Sequence, residues 1–99
     1  MSVSMVTFRK GGKREAVMAA TKKLKVVMEK HGAAAVTLGQ VTAGPDSGQW
    51  VIRIHCADWE AFGKMAQGAM NDPKGRDAVA GLDAITEMVS RRVIAGVDL

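Results

Sequence analysis

Near the middle of the chain five consecutive residues with turn chemistry, Gly44-Pro45-Asp46-Ser47-Gly48, separate two runs of period two. Proline presets φ, aspartate and serine bond back to their own backbone, and glycine accepts left-handed conformations, so such a cluster reverses the chain. After it, Trp50, Ile52, Ile54 and Cys56 alternate with Gln49, Val51, Arg53 and His55. Before it, from Ala35 to Ala43, Val36, Leu38, Gln40 and Thr42 alternate with Ala35, Thr37, Gly39 and Val41. Two strands joined by a turn make a hairpin, and a hairpin alone in water is marginal. It therefore needs further strands and a covering layer, which the flanking residues must supply. The second strand is the less apolar of the pair and is expected at a sheet edge.

The flanks supply one strand and one helical region each. Ser2 to Arg9 carries Val3, Met5, Val6 and Phe8 among Ser and Thr and reads as a strand that ends before Gly11-Gly12. From Lys13 to His31 the residues Val17, Ala20, Leu24, Val27, Met28 and His31 fall within an arc of roughly 100°, the signature of an amphipathic helix, and Gly32 can end it. Beyond the hairpin, Asp58 is a good N-cap for a helix with Trp59, Phe62, Met65, Ala66, Ala69 and Met70 on one face. Asn71-Asp72-Pro73 interrupts that helix, with Asp72 as a second cap and Pro73 opening a further short helix that carries Ala78, Val79 and Leu82. Ile85 to Ile94 returns to period two, with Ile85, Glu87, Val89, Arg91 and Val93 opposed to Thr86, Met88, Ser90, Arg92 and Ile94.

The order strand, helix, two strands, helix, strand is the ferredoxin-like βαββαβ arrangement. Right-handed crossovers place both helical layers on one face of a four-stranded antiparallel sheet. This is an α+β fold, and 99 residues make one domain over positions 1–99. The other sheet face has no cover from its own chain and would carry Val51, Arg53 and His55. With only two Phe and two Trp but seven Met, the core is built from small or flexible side chains, and burying the bare face against a second copy is the expected resolution. A homodimer with a cavity between sheet face and partner is the expected assembly.

The chain also resembles a known group, the dimeric α/β-barrel superfamily that includes antibiotic-biosynthesis monooxygenase-like, NIPSNAP-like and stress-responsive barrel proteins. The resemblance covers almost the whole chain and rests on the element order, on the passage from Trp50-Val51-Ile52-Arg53-Ile54-His55-Cys56 through Ala57-Asp58-Trp59-Glu60-Ala61-Phe62, and on Asn71-Asp72-Pro73. It implies a dimeric barrel scaffold, with small-molecule binding or cofactor-independent monooxygenase or isomerase chemistry on aromatic or polyketide-like substrates among its uses.

For the site, Arg53 and His55 alternate on one strand and point the same way, which suits a ligand anchor and, for His55, a catalytic proton acceptor. Glu87 and Arg91 are expected to complete this ligand-binding set. His31 reads as a helix-end residue, and Cys56 as an apolar filler, since a lone cysteine has no disulfide partner. Neither a cofactor nor a metal is implied. There is no phosphate loop, Ser/His/Asp signature or metal motif, and only Trp50 on the third strand to stack a nucleic-acid base, so no nucleic-acid partner is expected. Without an apolar run of membrane length or an export signal, no membrane partner is expected and a cytoplasmic setting is the expectation. The net charge of +4 gathers near the first helix in Arg9, Lys10, Lys13, Arg14, Lys22, Lys23, Lys25 and Lys30. Three uses follow: a homodimeric binder of a small, partly apolar molecule, a cofactor-independent enzyme, or an interaction protein whose basic helix docks an acidic partner.

Overall fold

The computed structural model describes residues 1–99, with elements β1 (Val3–Lys10), α1 (Arg14–Lys30), β2 (Ala35–Gln40), β3 (Trp50–Cys56), α2 (Trp59–Asn71), α3 (Pro73–Ile85) and β4 (Glu87–Ala95). All strand pairs are antiparallel and the sheet order is β2-β3-β1-β4, so each crossover skips one strand, as the ferredoxin-like plan requires. Trp50, Ile52, Ile54 and Cys56 are buried under the helices. The core partners of Ile52, Ile54 and Cys56 include Leu24 and Met28 of α1, Met65 and Ala69 of α2, and Ala78 and Leu82 of α3. Val51, Arg53 and His55 lie on the opposite face, which no helix covers.

Local chemistry sets the helix ends. Asp58 caps α2 by accepting from the Ala61 N–H at 2.7 Å, and Asp72 caps α3 by accepting from the Lys74 N–H at 2.9 Å. A residue before proline is pushed out of the helical region, and Asp72 sits at φ −92°, ψ 122°, which turns the chain between α2 and α3. Gly12, at φ +81°, ends the β1–α1 turn. A Cβ there would sit 2.8 Å from the Ile85 carbonyl oxygen and 3.0 Å from Val17 Cγ2, so the position excludes other residues on both counts.

Asp72 has a second role. Its carboxylate meets His31 Nε2 at 2.8 Å, tying the end of α1 to the α2–α3 junction, and Lys30 approaches at 3.5 Å. The bond to His31, with the Lys74 N–H behind it, holds the Asp72 carboxyl down at about 2, against an ordinary 3.8. Because the unfolded chain takes up this proton first, the associated stability is complete above the ordinary value and fades as pH falls from about 4 towards 2. Asp72→Asn keeps an acceptor for the cap but has no charge to titrate. Acid unfolding of the wild type should therefore be steeper across that window than that of the variant, and parallel curves would disprove the linkage.

Several expectations are corrected. Trp59 and Met70 are 55% and 72% exposed, so α2 contributes Met65 and Ala69 to the core, with Ala66 and Phe62 half-buried; Trp59 packs edge-on against Phe62, centroids 6.0 Å apart. The helix after Pro73 is as long as α2, at 13 residues, and absorbs Ile85. Strand β4 thus starts at Glu87, and β2 stops at Gln40, short of Ala43.

Candidate functional site

The open face is described by its register. Residues directly opposite one another share a face, so one row across β2, β3, β1 and β4 reads Ala35, His55, Ser4, Ile94; the next Thr37, Arg53, Val6, Arg92; the next Gly39, Val51, Phe8, Ser90. Ser4 Oγ and His55 Nδ1 are hydrogen-bonded at 2.6 Å. The Arg92 guanidinium lies over the Phe8 ring, 5.9 Å from its centroid, in cation–π range. Val6 is only 4% exposed, although nothing but its flanking arginines and neighbouring rows lies over it.

Of the four residues expected to form one site, this face holds three, and two of those are close together. Arg53 and His55 sit in adjacent rows of β3. Between Phe8 and Arg9 the β1–β4 register slips, leaving Val89 unpaired as a bulge in β4. Because one extra residue inverts the alternation, Glu87 comes to the open face opposite Lys10, while Arg91 pairs with Thr7 on the helix side. Glu87 and Arg91 therefore do not share a face. Glu87 makes a 3.5 Å contact with Lys10, six residues along β1 from Ser4, or about 20 Å from the His55 row. Ser4 and Arg92 were not singled out from the sequence. The apolar content of both faces of β1 masks the alternation that would have placed Ser4 beside His55.

The largest recess is on the helix side. It encloses about 440 Å³ between α2, α3 and the inner faces of β1 and β4, and its wall is made by Met5, Met28, Met65, Met70, Val79 and neighbouring alanines. It exists because the helices leave much of the inner face of β4 uncovered, and Val93 there is 46% exposed. Methionine side chains bend and polarise, so such a wall can fit flat ligands of more than one shape.

Three charged residues rim this cavity: Arg76, Asp83 and Arg91. Asp83 is neutralised by Arg9, which is 2% exposed and donates to it at 2.7 Å and to Thr86 Oγ1 at 3.3 Å. Arg76 donates to the Met70 carbonyl at 2.9 Å and has no carboxylate partner. Arg91, exposed at the rim, makes no ion pair either. The recess is thus apolar inside and cationic at its edge.

The remaining candidates are placed as follows. Cys56 is fully buried, and burial, with the nearby Asp58 carboxylate, pushes its thiol up from the ordinary value, so it is an unreactive filler. No three His, Cys, Asp or Glu side chains converge as metal ligands would. Of the eight basic residues near α1, Arg9 is buried, Lys10 and Lys30 are ion-paired, and Lys13, Arg14, Lys22, Lys23 and Lys25 remain exposed without acidic partners. No helix is long and apolar enough to cross a membrane.

No protein-family profile and no curated protein sequence matches this chain. Solved structures do match in fold. SnoaB, a cofactor-independent oxygenase from Streptomyces nogalater, superposes with a TM-score of 0.76 at 13% identity, covering 99% of this chain and 95% of its own. A Chloroflexus aurantiacus protein provisionally named an antibiotic biosynthesis monooxygenase gives 0.69 at 16% identity over 99% and 95%. A dimeric protein of unknown function and ferredoxin-like fold from Bacteroides fragilis gives 0.54 at 12% identity over 94% and 92%. The resemblance to antibiotic-biosynthesis monooxygenase-like barrel proteins is therefore borne out at the level of fold.

Proposed function

We propose that the protein is a homodimeric binding module that takes a small, largely apolar anion into the methionine-walled cavity on the helix side of its sheet. The observation that carries this reading is the coincidence of an apolar recess of about 440 Å³ with Arg91, a guanidinium that no carboxylate of the chain neutralises. Burial in the recess supplies affinity, at about 25 cal/mol per Å² of apolar surface removed from water, and the cation at the rim selects an acidic headgroup. The test is saturable binding of an aromatic sulfonate such as 1-anilinonaphthalene-8-sulfonate, at one site per chain. Absence of saturation, or a response no different from that of a heat-unfolded sample, rejects the site.

The homodimer half of the proposal rests on surface chemistry. Met88, Val89, Val93 and Ile94 are all between 43% and 46% exposed, and all belong to β4. β4 is also a nine-residue edge strand, the kind of edge that pairs with another chain if left bare. The open face alone offers roughly 400 Å² of sheet, at about 4.8 Å per strand and about 3.3 Å per residue, whereas a stable interface takes about 800 Å² per partner. A second copy that covered the face and also the β4 edge would meet that need. Sedimentation should show a dimer that dissociates on dilution, and a monomer at hundreds of micromolar would end this half of the proposal.

A second reading is favoured by the full-length fold similarity to a cofactor-independent oxygenase. In it an electron-rich aromatic substrate occupies the same cavity and reacts with dioxygen. His55 lies across the sheet from that cavity, so a substrate held there has no access to it, and His55 would act only on a molecule at the open face. Oxygen uptake on adding such a substrate separates enzyme from binder: tight binding without uptake favours the binder.

A further inference from the structure

We infer that the paired sheet faces of the homodimer hold an oxyanion of the phosphate class between Arg53 and Arg92 of the two copies. This rests on the homodimer reading above. In the register both arginines flank Val6, one on β3 and one on β4, two strand spacings or about 10 Å apart. Neither makes an ion pair, and Arg92 is held over the face by the Phe8 ring. The adjacent row adds the Ser4–His55 pair, whose hydroxyl and imidazole are further polar groups at the same end of the face.

Charge decides what a second copy can do here. Among the strand residues of this face the only carboxylate is Glu87, which is tied to Lys10 four residues along β1 from Val6, about 13 Å away. Each face therefore presents two uncompensated guanidinium groups near its middle. Two faces stacked about 10 Å apart would bring four of them together in a partly dried layer. Burying unpaired like charges opposes association strongly, whereas a guanidinium fork meets two oxygens of a phosphate or sulfate at once. A multivalent oxyanion between the faces converts the repulsion into attraction, so association becomes conditional on that anion.

The full chain is examined by sedimentation equilibrium in sodium chloride and in sodium phosphate or sulfate at matched ionic strength, with glycerol 3-phosphate as a further arm. The expected result is a dimer dissociation constant at least tenfold lower in phosphate than in chloride. An Arg53→Gln, Arg92→Gln double variant, confirmed folded by circular dichroism, should dimerise in chloride with no further gain from phosphate. A larger effect of glycerol 3-phosphate than of inorganic phosphate identifies a phosphate ester as the occupant, and the reverse identifies the free ion. A wild-type dimer of equal strength in both salts overturns this inference and leaves the homodimer standing. Glu87→Gln weakening the dimer in chloride, with no phosphate effect in the wild type, overturns it in favour of the partner's carboxylate as counterion. A monomer in every salt overturns the homodimer, and this site with it.

Discussion

Gly75→Ala is expected to lower the unfolding free energy by about 2–3 kcal/mol, even though alanine is the better helix former. Gly75 is buried at the start of α3, where the chain has just turned at Asp72. A Cβ added there would collide with the Ala69 carbonyl oxygen and lie 3.0 Å from its carbon and 3.3 Å from its Cα, all backbone atoms of α2. No side chain can swing aside, so the two helices would have to separate. That movement would disturb the buried contacts of Ala69 and Ala78 and change the cavity that Gly75 helps to line. Gly81, in the same helix, meets nothing within 4 Å, so Gly81→Ala should instead stabilise by up to about 1 kcal/mol. Urea unfolding of the two variants should show midpoints shifted in opposite directions from the wild type. Equal, upward shifts would mean that the close approach of α2 and α3 does not constrain the fold.

The contrast between these glycines shows where sequence reading succeeds and where it stops. Within the helices both are glycines at positions of poor propensity, and nothing in a one-dimensional pattern separates the one that a neighbouring backbone occupies. What local chemistry governs was legible: the β3 alternation assigned Val51, Arg53 and His55 to the bare face, and Asp72-Pro73 marked the break between α2 and α3. What pairing governs was not. The bulge at Val89 arises only when β4 is laid against β1, and it inverts every face assignment on one side of it, which is why Glu87 and Arg91 separate. Trp59 has the helical spacing of a core residue, but in the first turn of α2 its ring is left 55% exposed, edge-on against Phe62. The cavity itself is a gap between layers. Its methionines are visible in the sequence as a surplus of flexible residues, but their convergence depends on how far α3 stands from β4.

Arg91→Met is expected to weaken binding of 1-anilinonaphthalene-8-sulfonate by about 10- to 100-fold, the equivalent of losing a charge-assisted hydrogen bond of about 1.5–3 kcal/mol. Methionine preserves much of the arginine stem, so the apolar wall shared with Met5 and Val79 survives while the guanidinium goes. An uncharged relative of the probe, N-phenyl-1-naphthylamine, should bind wild type and variant within about twofold, because burying its rings needs only the wall. The pair of probes separates the two contributions. If both weaken alike, Arg91 shapes the cavity and does not read the charge. If the sulfonate is unaffected, Arg76 is the other uncompensated cation at this rim and becomes the candidate anchor, testable by Arg76→Met. Arg9 cannot substitute for either, since it is buried and committed to Asp83 and Thr86. Its ion pair with the exposed Asp83 keeps that carboxylate from repelling an incoming anion, so Asp83→Ser should leave Arg9 uncompensated and raise sulfonate affinity while lowering stability. Tighter binding together with a lower unfolding midpoint in Asp83→Ser would show that the rim's charge, and not its shape alone, selects what enters.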